Sequence, residues 1–103
     1  MDAVFLAVAD PTRRALLERL RSGGPLSVTD LSAGLAITRQ AVTKHLDTLI
    51  ATGLVRVRRE GRERLHELDA VPLKAVEDWL EPYARAWDVH IEALRRHLGE
   101  DTP

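Results

Sequence analysis

The chain has 103 residues, of which 45% are apolar and 30% charged, and its net charge at pH 7 is −1. This length suits one domain with a single modest core, and the composition excludes wholesale disorder. Cysteine is absent, which excludes disulfides, iron–sulfur clusters, thiolate zinc sites and cysteine nucleophiles.

Two helices are expected at the start of the chain. Residues 3–8 form a short apolar segment, and Asp10 followed by Pro11 is typical of an N-cap with proline at the first helical position. The second helix should therefore run over about residues 11–21, where leucines repeat at helical spacing. The glycine-containing residues 22–25 should end it.

A helix-turn-helix unit is expected next. Thr29 should cap a short third helix that ends near residues 34–36. Thr38 is the expected N-cap of a longer fourth helix, which reaches Thr52 and stops at Gly53. Two short helices joined by a tight turn, the second longer than the first, match the helix-turn-helix pattern.

A β-hairpin is expected after Gly53, because the hydrophobic period changes to two. Val55 and Val57 alternate with arginines, and residues 65–68 supply a second strand. Glu60-Gly61 lies between the two strands as the expected turn.

One long helix should complete the chain, because helical spacing returns after Asp69 and Pro72 suits a helix start. Pro82 should kink or break this helix near Leu80 and Glu81, since proline removes a backbone hydrogen bond and clashes with the preceding turn.

The expected fold is mainly α with a small β-hairpin wing, a winged helix-turn-helix, in the order helix, helix, helix, helix, hairpin, helix. Residues 1–98 should form this single domain, and residues 99–103 should form a flexible tail. A chain of this size leaves room for one core rather than two.

The fourth predicted helix carries base-reading side chains on one face. Its buried stripe should consist of Val42, Leu46, Leu49 and Ile50. The side chains left outward are those of Arg39, Gln40, Thr43, Lys44 and Asp47. Arginine can bond guanine bidentately, glutamine can do the same to adenine, threonine can contact thymine, and lysine can neutralise phosphate. Any solvated helix face carries such residues, so this helix alone leaves DNA contact and an ordinary surface equally open.

His45 borders the buried stripe, because it lies three residues after Val42 and four before Leu49. A phosphate contact and half-buried packing are equally compatible with this position. The pattern does not separate these two alternatives.

Positive charge is concentrated in the middle of the chain. Residues 38–64 carry seven basic and three acidic side chains, whereas residues 65–103 carry four and nine. Residues 56–64 hold five arginines against two glutamates around one tight turn. Such a hairpin would act as a wing that lays guanidinium groups along phosphates or into a minor groove, although alone it could also be a solvated edge hairpin. The wing residues expected to contact DNA are Arg58, Arg59, Arg62 and Arg64.

Two stretches carry a family resemblance. Thr38-x-x-x-Val42-Thr43-x-His45-Leu46-x-x-Leu49-x-x-x-Gly53-Leu54-Val55 resembles the recognition helix and following strand of ArsR-type winged-helix repressors. Ala9-Asp10-Pro11-Thr12-Arg13 is similar to the start of their second helix. The resemblance covers roughly residues 4–98. It implies a homodimer whose recognition helices enter successive major grooves of a palindromic operator and repress transcription. The family's contact positions fall on Thr38, Arg39, Gln40, Thr43 and His45.

The founding members of that family are metal or metalloid sensors, with ligands that are cysteines in the third helix or Asp, His and Glu on the last helix. This chain lacks cysteine, and its last helix offers only Asp88 and His90, with His97 further on. The second half of the family's paired spacing is missing. We therefore expect no metal and no cofactor, and a site completed by a partner subunit around these three residues stays open. The inducing signal is not predicted.

The last predicted helix presents an apolar stripe that is wide for one small domain to cover. A second copy of the chain is the expected cover, although packing on the domain's own core would also use part of this face. The first apolar segment should join the interface. The expected dimer contacts are Val4, Phe5, Val76, Trp79, Leu80, Tyr83, Trp87, Ile91, Leu94 and Leu98.

Other functional classes fit less well. The sequence has no glycine-rich phosphate loop, HExxH, GxSxG or nucleophile–base pair, so we expect no enzyme. A protein-interaction module with the same fold would not need five wing arginines. No apolar run approaches the roughly 18 residues of a membrane span, and the start lacks a signal peptide pattern. We expect a cytoplasmic protein without membrane contact. Its expected partners are double-stranded operator DNA and a second copy of the chain. The sequence does not decide between activation and repression.

Overall fold

The protein is described here by a computed structural model that covers the backbone of residues 2–100 and the side chains of residues 2–98. Its element order confirms the predicted mainly α fold with one hairpin. The elements are α1 (Asp2–Ala9), α2 (Pro11–Gly23), α3 (Val28–Ser32), α4 (Arg39–Ala51), β1 (Val55–Glu60), β2 (Glu63–Leu68), a 3-10 turn (Val71–Leu73) and α5 (Lys74–Glu100).

One hydrophobic core joins α1 to α4 and the base of the hairpin. The buried stripe predicted for α4 is confirmed, because Val42, Leu46 and Leu49 are fully buried and Ile50 packs against them in part. This burial turns the opposite face of α4 toward solvent, since helix residues three or four apart share a face. The other large side chains that are fully buried are Leu16, Leu31, Leu54 and Val55.

Each of α2, α3 and α4 starts directly after a residue whose side chain caps the helix. Asp10 accepts from the N–H of Arg13 at 3.0 Å, and Thr38 accepts from the N–H of Ala41 at 3.1 Å, so both predicted N-caps are confirmed. The prediction that Thr29 caps α3 is wrong. Ser27 is the cap, and α3 ends at Ser32.

A contact from another part of the chain supports the start of α3. The backbone N–H groups of Leu26 and His66 each donate to the other residue's carbonyl, at 3.0 and 2.8 Å. This pairing holds Leu26 in an extended conformation, and the helix begins directly after the next residue, Ser27. Serine is also the stronger N-cap of the two, and the Ser27 hydroxyl accepts from the N–H of Asp30 at 3.2 Å and donates to its carboxylate at 3.0 Å, so a local signal favours the same start.

The hairpin turn lies one residue later than predicted. β1 and β2 are antiparallel, and Glu60 pairs with Glu63, so the two turn residues are Gly61 and Arg62. Gly61 has a φ of 63°, which glycine adopts without a steric penalty. The turn therefore presents Arg62 at the tip of the hairpin.

The break predicted near Leu80 and Glu81 is absent, because α5 continues without interruption through Pro82. This part of the helix is exposed, so water can bond the carbonyl that loses its partner. The helix also continues through residues 99 and 100 of the predicted tail, and residues 101–103 lie outside the described part of the chain. Among the described residues, no helix is long and apolar enough to cross a membrane.

Candidate nucleic-acid interface

The exposed face of α4 forms one wall of a shallow concave surface beside α3. Every side chain predicted to point outward from α4 is exposed, and so is its N-cap, Thr38. The concave surface is lined by Val28, Arg39, Gln40, Thr43 and Lys44. Its polar groups therefore include a guanidinium with paired donors, an amide with one donor and one acceptor side, a hydroxyl and an ammonium, which suit the edges of bases and the phosphates beside them.

His45 lies outside this concavity, against the start of α2. Its Nδ1 is 3.3 Å from Nη1 of Arg13 and 3.9 Å from Oδ2 of Asp10, and its side chain is 25% exposed. Half-buried packing, one of the two alternatives left by the sequence, is thus present in the structure. A phosphate contact by His45 stays a prediction.

Two arginines of α2 connect this region to the end of α1. The last carbonyls of a helix have no partner within it and need donors from elsewhere. Arg13 donates to the carbonyls of Leu6 and Ala7, at 2.9 and 2.7 Å. Arg14 donates to the carbonyls of Val8 and Ala9, at 2.8 and 3.0 Å. Together they satisfy the four final carbonyls of α1. The Ala9–Arg13 stretch singled out in the sequence therefore joins α1, α2 and, through His45, α4.

Asp10 is ionised more readily in the fold than in an unfolded chain. The N–H of Arg13 bonds its carboxylate and, against the opposing effect of partial burial, lowers the pKa of Asp10 below its ordinary value of 3.8. The charges of His45 and Arg13 act in the same direction. A carboxyl group whose pKa falls on folding stabilises the fold above its unfolded pKa, and this contribution disappears as the pH falls through the folded pKa.

Asp10→Asn should therefore be less stable than wild type at neutral pH, and the difference should shrink once the pH falls below 3.8. Asparagine can still cap the helix, so this variant removes the charge and keeps the hydrogen bond. Thermal unfolding at a fixed protein concentration, repeated across an acid pH series, measures the difference. Asp10→Ala, which loses charge and cap together, should be destabilised even at low pH. A wild-type advantage over Asp10→Asn that does not change with pH would contradict this assignment.

The structure divides the wing arginines into two groups. Nη2 of Arg58 lies 3.4 Å from Oε2 of Glu60, and its Nη1 lies 3.9 Å from Oε2 of Glu67. These two carboxylates already neutralise much of the charge of Arg58. Arg59 and Arg64 are directly opposite each other across the two strands. Like charges in this arrangement repel each other, and an anion placed between them relieves the repulsion.

Three wing arginines are exposed and have no ion pair or hydrogen bond with any side chain in the described part of the chain. These are Arg59, Arg62 and Arg64. Arg62 lies in the turn, and Arg59 and Arg64 lie two residues from it, at the end of the hairpin that is far from the core. The end of the wing therefore carries the uncompensated charge that phosphate binding requires.

His66 fixes the wing to the helix-turn-helix. This residue is 3% exposed, and burial lowers the pKa of His66, so the neutral form is favoured. Its backbone pairs with Leu26 just before α3. The sequence pattern predicts only that His66 lies in a strand, because its role depends on the pairing of two segments that are distant in the chain.

Known proteins are similar to this chain in sequence and fold. A family profile for a helix-turn-helix domain matches residues 8–58. The HTH-type transcriptional regulator Rv2034 of Mycobacterium tuberculosis is 40% identical over 102 residues, which cover 98% of this chain and 94% of that protein. The structure of an ArsR-like transcriptional regulator from Rhodococcus sp. RHA1 is similar with a TM-score of 0.69 and 33% identity, covering 92% of this chain and 89% of that one. The chain belongs to the ArsR-type winged helix-turn-helix transcriptional regulators.

This ArsR-type chain is a DNA-binding transcription regulator and not an enzyme. The transcriptional repressor SdpR of Bacillus subtilis is 29% identical to it over 80 residues, which cover 78% of this chain and 88% of that repressor. The resemblance found in the two sequence stretches is thereby confirmed at the level of the family.

The residues predicted for the dimer interface of this ArsR-type regulator fall into three sets. Val4 is 8% exposed and belongs to the core of its own chain, and Val76 packs against that core, so neither has much surface for a partner. Phe5 and Leu80 are partly buried. Six others are between 44% and 58% exposed. These are Trp79, Tyr83, Trp87, Ile91, Leu94 and Leu98.

Aromatic contacts order the start of this exposed face. The ring of Phe5 meets Trp79 edge-on at 5.8 Å between centroids, and Trp79 lies 5.3 Å from Tyr83. These contacts attach α1 to α5. Within the described residues, no three His, Asp or Glu side chains gather as metal ligands would, so Asp88 and His90 are not part of such a group in a single chain.

Proposed function

We propose that this regulator binds a palindromic operator as a homodimer and represses transcription, including that of its own gene. The observation that supports this proposal most directly is the exposed polar face of α4 next to a wing whose end carries arginines without carboxylate partners. The similarity to a protein named as a transcriptional repressor favours repression over activation.

The helix α4 would enter the major groove with its N-terminal half. Arg39 and Gln40 have the geometry to bond guanine and adenine bidentately, and Thr43 can contact a thymine methyl group. Lys44 and the N–H groups at the start of the helix would bond phosphates and set the register. The remaining predicted contacts, Thr38 and His45, would act on the backbone of the DNA.

The wing would lie on the adjacent backbone or in the minor groove. Arg59, Arg62 and Arg64 supply the charge, because glutamates do not neutralise them as they do Arg58. Each phosphate that an arginine neutralises releases counterions, so binding should weaken steeply as salt is added. The acidic residues of α5 lie outside the helix-turn-helix and wing, which reconciles DNA binding with a net negative charge.

The exposed apolar face of α5 would be covered by the same face of a second copy. A row of six large apolar side chains at helical spacing exceeds what a single soluble domain ordinarily leaves in water. Pairing through a twofold axis presents two copies of α4 to two half-sites, which is why a palindromic operator is expected. Such a regulator would work in the cytoplasm, where the DNA is.

The proposal is tested by fluorescence anisotropy with a fragment from just upstream of the gene, across a salt series. We expect tight, salt-sensitive binding with two chains per site and much weaker binding to random DNA. The control is Arg39→Ala/Gln40→Ala, whose changes are on the exposed face of α4 and should spare the fold. It should bind both fragments with similar, weak affinity. Equal binding of both fragments by wild type would exclude an autoregulatory operator, and no binding to any DNA would favour a protein-interaction module.

A further inference from the structure

A side-chain hydrogen bond joins the recognition helix, α4, to α3. Nη2 of Arg39 donates to the hydroxyl oxygen of Thr29 at 2.7 Å. Both side chains are exposed. Thr29 follows Val28, which lines the concave surface together with Arg39. The bond therefore joins the two helices of the helix-turn-helix at the surface that would face DNA.

This hydrogen bond restricts a side chain that is otherwise flexible. Arginine loses rotamer freedom when it is immobilised, and this entropy loss opposes binding. A charged donor bonds a hydroxyl more strongly than a neutral donor does, so the contact with Thr29 can bear part of that loss before DNA arrives. Less ordering is then required at the moment of binding, which raises affinity without any additional contact to DNA.

The bond leaves both partners able to act on DNA. A guanidinium group has five N–H donors in one plane, and the donor to Thr29 uses one of them. A bidentate pair for a guanine edge remains available to Arg39. The Thr29 hydroxyl accepts this bond and keeps its own proton, which a phosphate oxygen can accept.

We infer that Thr29 is a positioning residue for base recognition: its hydroxyl holds the Arg39 guanidinium in the orientation that reads a guanine edge. The inference rests on the proposed DNA binding and adds to it a specificity-determining residue outside the recognition helix. Thr29 acts through Arg39 and not mainly through a DNA contact of its own.

A double-mutant cycle measured by anisotropy on the specific fragment tests this. Thr29→Val keeps the shape and the branched Cβ of threonine and removes only the hydroxyl, so the fold should be unaffected. It should weaken binding roughly 2- to 10-fold in the wild-type background, as expected for one net hydrogen bond. In the Arg39→Ala background the same change should have no effect. Thr29→Ser, which retains the hydroxyl, should bind like wild type.

A second readout separates positioning from a general loss of affinity. Each base pair of one half-site is replaced in turn, and the position at which Arg39→Ala loses its discrimination identifies the base that Arg39 reads. Thr29→Val should lose part of its discrimination at that same position and at no other. A direct phosphate contact by Thr29 would instead weaken binding to all fragments equally.

Three results would overturn the inference. Equal effects of Thr29→Val in both backgrounds would show that Thr29 acts independently of Arg39. Tighter binding by Thr29→Val would show that the bond holds Arg39 away from DNA. Absence of specific binding by the wild-type protein would overturn the proposed function as well, whereas the first two results leave that proposal standing.

Discussion

Replacing Trp87 and Leu94 together with glutamate should make the regulator monomeric and weaken its binding to a palindromic operator by roughly 100- to 10,000-fold. The two side chains are 57% and 52% exposed, so the substitutions leave the core of the single chain intact. Burying two carboxylates in an apolar interface is strongly unfavourable, so the dimer should dissociate. A dimer binds its second half-site at the high local concentration created by the first, and a monomer loses that advantage.

The matched control is Arg96→Glu, which changes the net charge by the same amount. Arg96 follows Trp87 by nine residues, which is about two and a half turns, so it lies on the opposite face of α5. This control should remain dimeric and bind the operator nearly as wild type does. Sedimentation gives the oligomeric state, and anisotropy with whole and half operators gives the affinities. If the double glutamate variant stays dimeric, the α5 face is not the interface. Half-site binding by this variant that matches wild type would show that its α4 is still folded.

Arg13→Ala should lower the free energy of unfolding by about 1.5–3 kcal/mol, because a charged donor is removed from partly buried acceptors. Its Nε donates to the carbonyl of Ala7, a residue that is 1% exposed, so water cannot easily replace the bond. The variant also loses the contact between Nη1 and His45, which connects α2 to the recognition helix. Operator affinity should therefore fall as well, although Arg13 itself does not line the concave surface.

Arg14→Ala is the natural comparison, because Arg14 performs the same task for the two following carbonyls of α1. Its bonds are exposed, and water can take over from them, so the loss should stay below about 1 kcal/mol. Urea unfolding at one fixed protein concentration compares the two, since the stability of a dimer depends on concentration. Equal losses for both variants would mean that partial burial of the Ala7 carbonyl does not matter.

Much of the fold could be predicted because its signals are local. Asp10 with Pro11, and Thr38 before an apolar stripe, mark helix starts through bonds that span only three residues. The outward face of α4 follows from its buried stripe, because 3.6 residues per turn leave no other choice. Gly61 located the hairpin turn to within one residue. The strand register then decides whether its turn partner is Glu60, as predicted, or Arg62, as observed.

The family could be recognised for the same reason. The recognition-helix stretch and the Ala9–Arg13 stretch are contiguous, and each contains its own caps, buried positions and turns. What the sequence could not predict was which of the exposed side chains act on each other. Thr29 and Arg39 are ten residues apart, and Arg13 and His45 are 32 apart.

The sequence by itself thus determined the order of elements, the exposed polar face of α4 and the charge of the wing, because caps, periodicity and glycine turns act over a few residues. Only the tertiary structure decided that His45 meets the start of α2 and which wing arginines stay unneutralised. Those features depend on which side chains face each other once the segments are packed, as Arg13 faces His45 and Arg58 faces Glu67. Burial of leucine and valine brings these segments together, and the polar contacts then follow from their final positions.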